Sequence, residues 1–229
     1  MIFIFIVFAV LSMGVSWRFR SKIKQYSEVA LRHDLSGAEI AQKMLSDHGI
    51  NDVRVITAEG QLTDHYNPAD KTVNLSRDVY HGRTVTAAAI AAHECGHAVQ
   101  HATAYSMLKF RSAMVPVQNA SARIMNIIVM VMMFGGMFLF KAFPFQIVLV
   151  TIIACQAVIT LFSVVTLPVE FDASNRALAW LTNKGIVMHD EEGMAKDALK
   201  WAAMTYVVAA LAAIASLLYW VMMLMGRRD

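Results

Sequence analysis

Cysteine is nearly absent from this chain: Cys95 and Cys155 are the only two in 229 residues, and Cys155 sits inside an apolar run. That argues against a disulfide-stapled extracellular fold. Charge is scarce as well. Asp, Glu, Lys and Arg make up 16% of the residues and hydrophobic residues 57%, against about 25% and roughly 45–50% in ordinary soluble domains. The mean hydropathy of +0.49 makes a purely soluble protein a poor fit. With 4 prolines, 11 glycines and no charged low-complexity tract, collagen-like, disordered and coiled-coil classes fall away. The net charge of +3 suggests no nucleic-acid partner, because in a membrane protein Lys and Arg serve chiefly to set topology.

What the chain does have is long apolar runs. Residues 1–17 are apolar except for Ser12 and Ser16 and are followed at once by Arg18, Arg20, Lys22 and Lys24. A cleaved secretory signal carries its positive charge before the apolar stretch, so this run reads as an anchor with its N-terminus outside. Further runs cover 124–140, 145–167 and 201–225, each near the ~20 residues needed to cross a bilayer. Seventeen of the 20 Lys and Arg residues lie between the first and second runs or between the third and fourth; Lys141, Arg227 and Arg228 are the exceptions. The positive-inside rule then places both larger polar segments in the cytoplasm and the Lys141 loop outside, with Arg227-Arg228 opposing that assignment. The Met-rich second run carries no acidic residue of the kind that marks an ion path, so its methionines read as lipid-facing or gap-filling side chains and not as a copper route.

In the first polar segment, Ser36-Gly37-Ala38-Glu39 has the form of a capping box, followed by Ile40, Met44 and Leu45 at helical spacing and closed by His48-Gly49. Residues 53–57 and 71–75 suggest short strands, with turns at Glu59-Gly60 and Asn67-Pro68-Ala69-Asp70. The strand at 71–75 is equally readable as an ordinary sheet strand or as an edge that holds an extended peptide by β-augmentation. An Ala-rich stretch from about Thr84 or Val85 to Ala104 predicts a helix.

That helix contains His93-Glu94-Cys95-Gly96-His97, an H-E-x-x-H sequence. Histidines four apart share a helix face, so both imidazoles can reach one Zn²⁺ while Glu94 stands beside the open coordination position. Zinc lowers the pKa of bound water to about 7, and an adjacent carboxylate can take its proton and pass it to a leaving amine. Cys95, two positions from each histidine, points away as a small packed residue. A catalytic zinc also needs a third protein ligand. His101 continues the spacing but lies about 6 Å beyond His97 along the helix axis, and Gln100 and Thr103 replace the Gly and His of an extended metzincin motif. Glu170, which follows two membrane runs and so returns to the same face, is the favoured third ligand. Asp172 is the competing carboxylate, with a helix N-terminal charge as its plainer role. For stabilising the oxyanion of the reaction, Arg176 and His101 rank ahead of Tyr80 and His189.

The stretch from Asp64-His65-Tyr66-Asn67-Pro68 through Asn74-Leu75-Ser76 and on to Ala91-Ala92-His93-Glu94-Cys95-Gly96-His97-Ala98-Val99-Gln100-His101 resembles the YugP-like neutral zinc metallopeptidases of bacterial membranes. It is similar, more distantly, to the HtpX and CAAX-prenyl-endopeptidase type of membrane gluzincin. In those relatives a glutamate opening an E-x-x-A-D motif is the third zinc ligand, and it corresponds to Glu170 here. Ser174 replaces the aspartate of that motif, leaving Asn175, Asp172 or Ser174 itself to hydrogen-bond a metal-binding imidazole.

The expected fold is therefore a mainly α membrane protein, with about four transmembrane helices and a small zincin-like α+β cytoplasmic domain built around the H-E-x-x-H helix. Its expected divisions are an anchor at 1–17, the cytoplasmic domain at 18–112, two membrane helices with a short outer loop at 113–167, a cytoplasmic helical segment with the third ligand at 168–200, a last membrane helix at 201–225 and a tail at 226–229. The expected function is zinc-dependent endopeptidase activity in the bacterial plasma membrane on peptide or protein substrates, with one Zn²⁺ per chain, membrane lipid as surroundings and an undetermined oligomeric state. The reading from another class is a membrane scaffold or sensor held together by a non-catalytic zinc. Glu94 speaks against it, since a structural site needs no carboxylate between its ligands.

Overall fold

The computed structural model describes residues 2–142 and 144–226. The elements run α1 (Ile2–Ser27), α2 (Gly37–Asp47), β1 (Arg54–Ala58), β2 (His65–Asn67), β3 (Thr72–Ser76), α3 (Arg77–His81), α4 (Val85–Ala102), α5 (Ser106–Ala142), α6 (Phe145–Asn183) and α7 (His189–Met225). Among the described residues, four helices (α1, α5, α6 and α7) are long and apolar enough to cross a membrane. The C-terminal Arg227-Arg228 pair, which bears on the topology, lies outside the described residues.

Each apolar run is only part of a longer helix. The basic residues after Trp17 do not stop α1, because Lys and Arg are good helix formers and no Gly or Pro intervenes before Ser27. The helix that contains the third run continues beyond Leu167: α6 passes through Pro168 to Asn183 without a break. Proline costs about 3 kcal/mol or more inside a helix. Here Val165, Val169, Ala173 and Ala177, at helical spacing on both sides of it, are buried and hold the helix in place.

The chain forms two compact units. The more apolar one comprises the described residues of 2–13, 110–167 and 206–226. Within it, α6 and α7 are joined by Gln156 Nε2 and Thr160 Oγ1, which both donate to the Ala213 carbonyl at 3.3 and 3.1 Å. Shared polar contacts of this kind join helices where lipid gives no hydrophobic drive to association.

The other unit comprises 14–109 and 168–205. The capping box forms as its sequence requires: Glu39 N–H donates to Ser36 Oγ and Ser36 N–H donates to Glu39 Oε2. The three-stranded sheet has the order β1-β3-β2, with β1 and β3 parallel and β2 and β3 antiparallel. The strand read from 71–75 is thus central and not an edge, so it cannot take up a peptide by β-augmentation. Its burial on both faces is possible because the polar positions are satisfied. Asn74 Nδ2 donates to Thr72 Oγ1, and Ser76 N–H and Oγ–H donate to the Asp64 carboxylate. Burial nevertheless holds the Asp64 carboxyl above the usual carboxylate range. The edges are β1 and β2, and β2 runs into the turn read at Asn67-Pro68-Ala69-Asp70, sharing Asn67 with it.

Helix α4 runs through the core of this unit, with Val85, Ala88, Ala91, Ala92 and Cys95 fully buried. Cys95 Sγ lies 3.6 Å from the Ala41 carbonyl of α2, on the side away from the histidines, as expected of a packed thiol. At Gly96 the helix meets α6 backbone to backbone: a Cβ there would come within 2.5 Å of the Ala173 carbonyl oxygen.

Candidate metal centre

The close approach at Gly96 brings the two halves of the H-E-x-x-H pair and the α6 carboxylate together. His93 and His97 lie one turn apart on α4 with ring centroids 4.9 Å apart. Their Nε2 atoms are 3.4 and 3.6 Å from Glu170 Oε2, and the ligand atoms of the three residues all fall within 4.8 Å of one another. Three N and O donors at that spacing, on two buried helices, are the set that a tetrahedral Zn²⁺ with one open position takes. Burial works against an imidazolium at His97, but hydrogen bonding to Glu170 and the charges of Glu94 and Glu170 outweigh it and raise its pKa. The cluster thus favours positive charge between its donors, which suits a cation.

Two supporting contacts orient the imidazoles. Gln100, completely buried, uses its Nε2 amide to donate to the Val169 carbonyl and to Asp172 Oδ2, both at 2.8 Å. Its Oε1 therefore faces His97 Nδ1 at 3.0 Å, an acceptor that in a neutral ring assigns the proton to Nδ1 and leaves the Nε2 lone pair for a metal. Ser174 Oγ lies 3.1 Å from His93 Nδ1. Of Asn175, Asp172 and Ser174, it is Ser174 that contacts His93, while Asp172 acts on His97 through Gln100. Sequence alone does not reveal the part played by Gln100, which stands out there only as a departure from another motif. Its position three residues after His97 is the available signal.

Glu94 is buried, and its Oε2 accepts the Tyr66 N–H of β2 at 3.0 Å, so the edge strand and the carboxylate are fixed to each other. His101 does not join the three donors; its Nδ1 is 2.7 Å from the Tyr66 hydroxyl. Arg176 donates from Nε to Asp172 Oδ2 at 2.6 Å and lies over the Tyr105 ring. Asp172 is thus turned to Gln100 and Arg176 and is outside the cluster. Tyr80 packs edge-on against His81, and His189 opens α7.

Because backbone meets backbone at Gly96, Gly96→Ala is expected to push α4 from α6 and destabilise the protein by about 1–3 kcal/mol, the usual cost of overpacking. Thermal unfolding in detergent would show this as a lowered midpoint; an unchanged midpoint would mean that the two helices can separate freely.

No solved structure matches this chain. A curated relative, described as "Putative membrane protease YugP" from Bacillus subtilis (strain 168), is 36% identical over 231 residues, covering 100% of this chain and 99% of the relative. The family described as "Putative neutral zinc metallopeptidase" matches residues 1–225. The chain therefore belongs to that family, as a member with four helices, among the described residues, that are apolar enough to cross a membrane.

Proposed function

We propose that this protein is an integral-membrane zinc endopeptidase whose centre is His93, His97 and Glu170. The observation that carries the reading is the convergence of those three donors within 4.8 Å, with Glu94 on the same helix. We assign 18–112 and 168–200 to a zincin-like part on the cytoplasmic side, where the basic residues concentrate, and 1–17, 113–167 and 201–225 to the membrane.

A zinc ion held by His93, His97 and Glu170 would supply Lewis-acid chemistry toward water and the scissile carbonyl. The remaining work falls to the chain. Glu94 accepts a proton at the carboxylate oxygen that Tyr66 N–H does not occupy and releases it to the leaving amine. Gln100 and Ser174 keep both imidazoles turned with Nε2 inward. His101, beside the Tyr66 hydroxyl, and Arg176, through its terminal nitrogens, are the donors for the developing oxyanion. Substrates are peptides, unfolded proteins or membrane-protein segments that can lie extended against the edge strand β2. The scaffold reading loses support because Asp172, the residue that could close a four-ligand structural site, is held by Gln100 and Arg176.

The test is cleavage of an unfolded protein by the purified protein in detergent, before and after zinc removal. Activity should disappear with the metal and return at one equivalent of Zn²⁺. Undiminished cleavage by fully zinc-free protein would overturn the proposal. Replacing Gln100 by Leu should weaken zinc binding about 10- to 100-fold, the usual effect of losing a residue that orients a ligand. Zinc competition with a chromogenic chelator measures this, and unchanged affinity would mean that Gln100 does not orient His97 for the metal.

A further inference from the structure

Within the unit that holds the metal centre lies a cavity of about 640 Å³ bounded by the C-terminal part of α1, the first turns of α4, the end of β3, the start of α3 and the loop at Gln61-Leu62. Its α4 wall includes Ala87 and Ile90. Ile90 precedes Glu94 by four residues and so lies on the same face of the helix. The loop that forms the opposite wall leads directly into β2, the strand whose Tyr66 N–H holds Glu94.

Most of the lining is apolar or hydroxylic, but two exposed cationic residues of α1 are part of it. Arg20 and Lys24 are one turn apart on α1, and among the described residues neither stands in an ion pair. Asp78 is the one acidic residue in the lining, so two positive charges face one negative. Cations on a partly enclosed wall attract an anionic group more strongly than they would in open water. The apolar surface around them suits the hydrocarbon part of the same ligand.

We propose that this cavity is a substrate subsite that selects an acidic peptide residue, with Arg20 and Lys24 receiving its carboxylate and Ile23 and Ile90 its apolar neighbour. The inference rests on the peptidase reading above and adds a substrate preference to it. A peptide is favoured over a lipid headgroup because two of the walls, α4 and the loop before β2, also form the surroundings of Glu94.

The experiment uses the full-length zinc-loaded protein in detergent and quenched fluorescent peptides that differ only in having Asp or Asn at successive positions around the cleaved bond. One register should favour Asp by at least ~10-fold in kcat/KM, mainly through KM. The double variant Arg20→Gln/Lys24→Gln should abolish that preference while cleaving the Asn peptide as wild type does, which also shows that it is folded. In parallel, anisotropy of a labelled Asp peptide measures binding without turnover. Charge-dependent binding without cleavage would overturn the peptidase reading and leave the acidic subsite standing. Cleavage with no register favouring Asp, a preference that survives the double variant, or binding blind to the carboxylate would overturn the subsite. Loss of binding only to vesicles containing an anionic phospholipid, with the peptide preference intact, would assign the cavity to lipid and overturn it too.

Discussion

Glu94→Gln is expected to leave one zinc per chain and lower the rate of peptide hydrolysis by about 10²- to 10⁴-fold, the range that general acid–base catalysis contributes. The substitution is nearly isosteric at a buried position. The amide oxygen of Gln can still accept the Tyr66 N–H that Glu94 Oε2 accepts at 3.0 Å, so the link between α4 and β2 survives. What is lost is a base able to hold a proton. The decisive measurement pairs turnover with zinc content on one homogeneous preparation. Hydrolysis near the wild-type rate by the zinc-loaded variant would show that another group takes the proton.

Glu170→Ala is expected to have the larger effect on the metal. Its carboxylate lies 3.4 and 3.6 Å from the two imidazole Nε2 atoms and is the only negative donor of the three. Removing it leaves two neutral ligands on one helix, and the affinity for Zn²⁺ should fall by more than the roughly 10- to 100-fold expected when an orienting residue is lost. Titration of the zinc-free variant with Zn²⁺ measures the change. Wild-type affinity would mean that a carboxylate other than Glu170 completes the centre. Glu170→Gln serves as a companion that preserves volume where Ala leaves a cavity.

The site and the fold are legible in the sequence to different degrees, for physical reasons. His93 and His97 can be read because a helix imposes a fixed spacing: four residues on one element determine which side chains share a face. Glu170 is reachable only by counting crossings and by the E-x-x-A pattern, because nothing local ties it to α4. Gln100 is hidden because its role depends on Val169 and Asp172, which arrive from a helix far along the chain. The capping box at Ser36 is readable since both partners lie within four residues. The sheet is not: strand order depends on what lies beside β3, and the alternation of Val73 and Leu75 with polar residues is the same for a half-exposed edge and for a buried centre whose polar groups find partners. Pro168 shows the same limit of local signals, since proline disfavours a helix interior and burial along α6 nevertheless carries the helix through it.

The hydrogen bond from Gln100 to Asp172 spans 72 residues of chain, and most of that length is α5 and the first part of α6. The ribosome extends a chain at about 5–20 residues per second, so roughly 4–14 s separate the appearance of the H-E-x-x-H helix from that of the elements that complete its centre. Until then the histidines have neither Glu170 nor the Gln100 clamp. On the peptidase reading proposed above, this order carries its own delay: the centre cannot be completed until the chain has been made at least as far as Glu170.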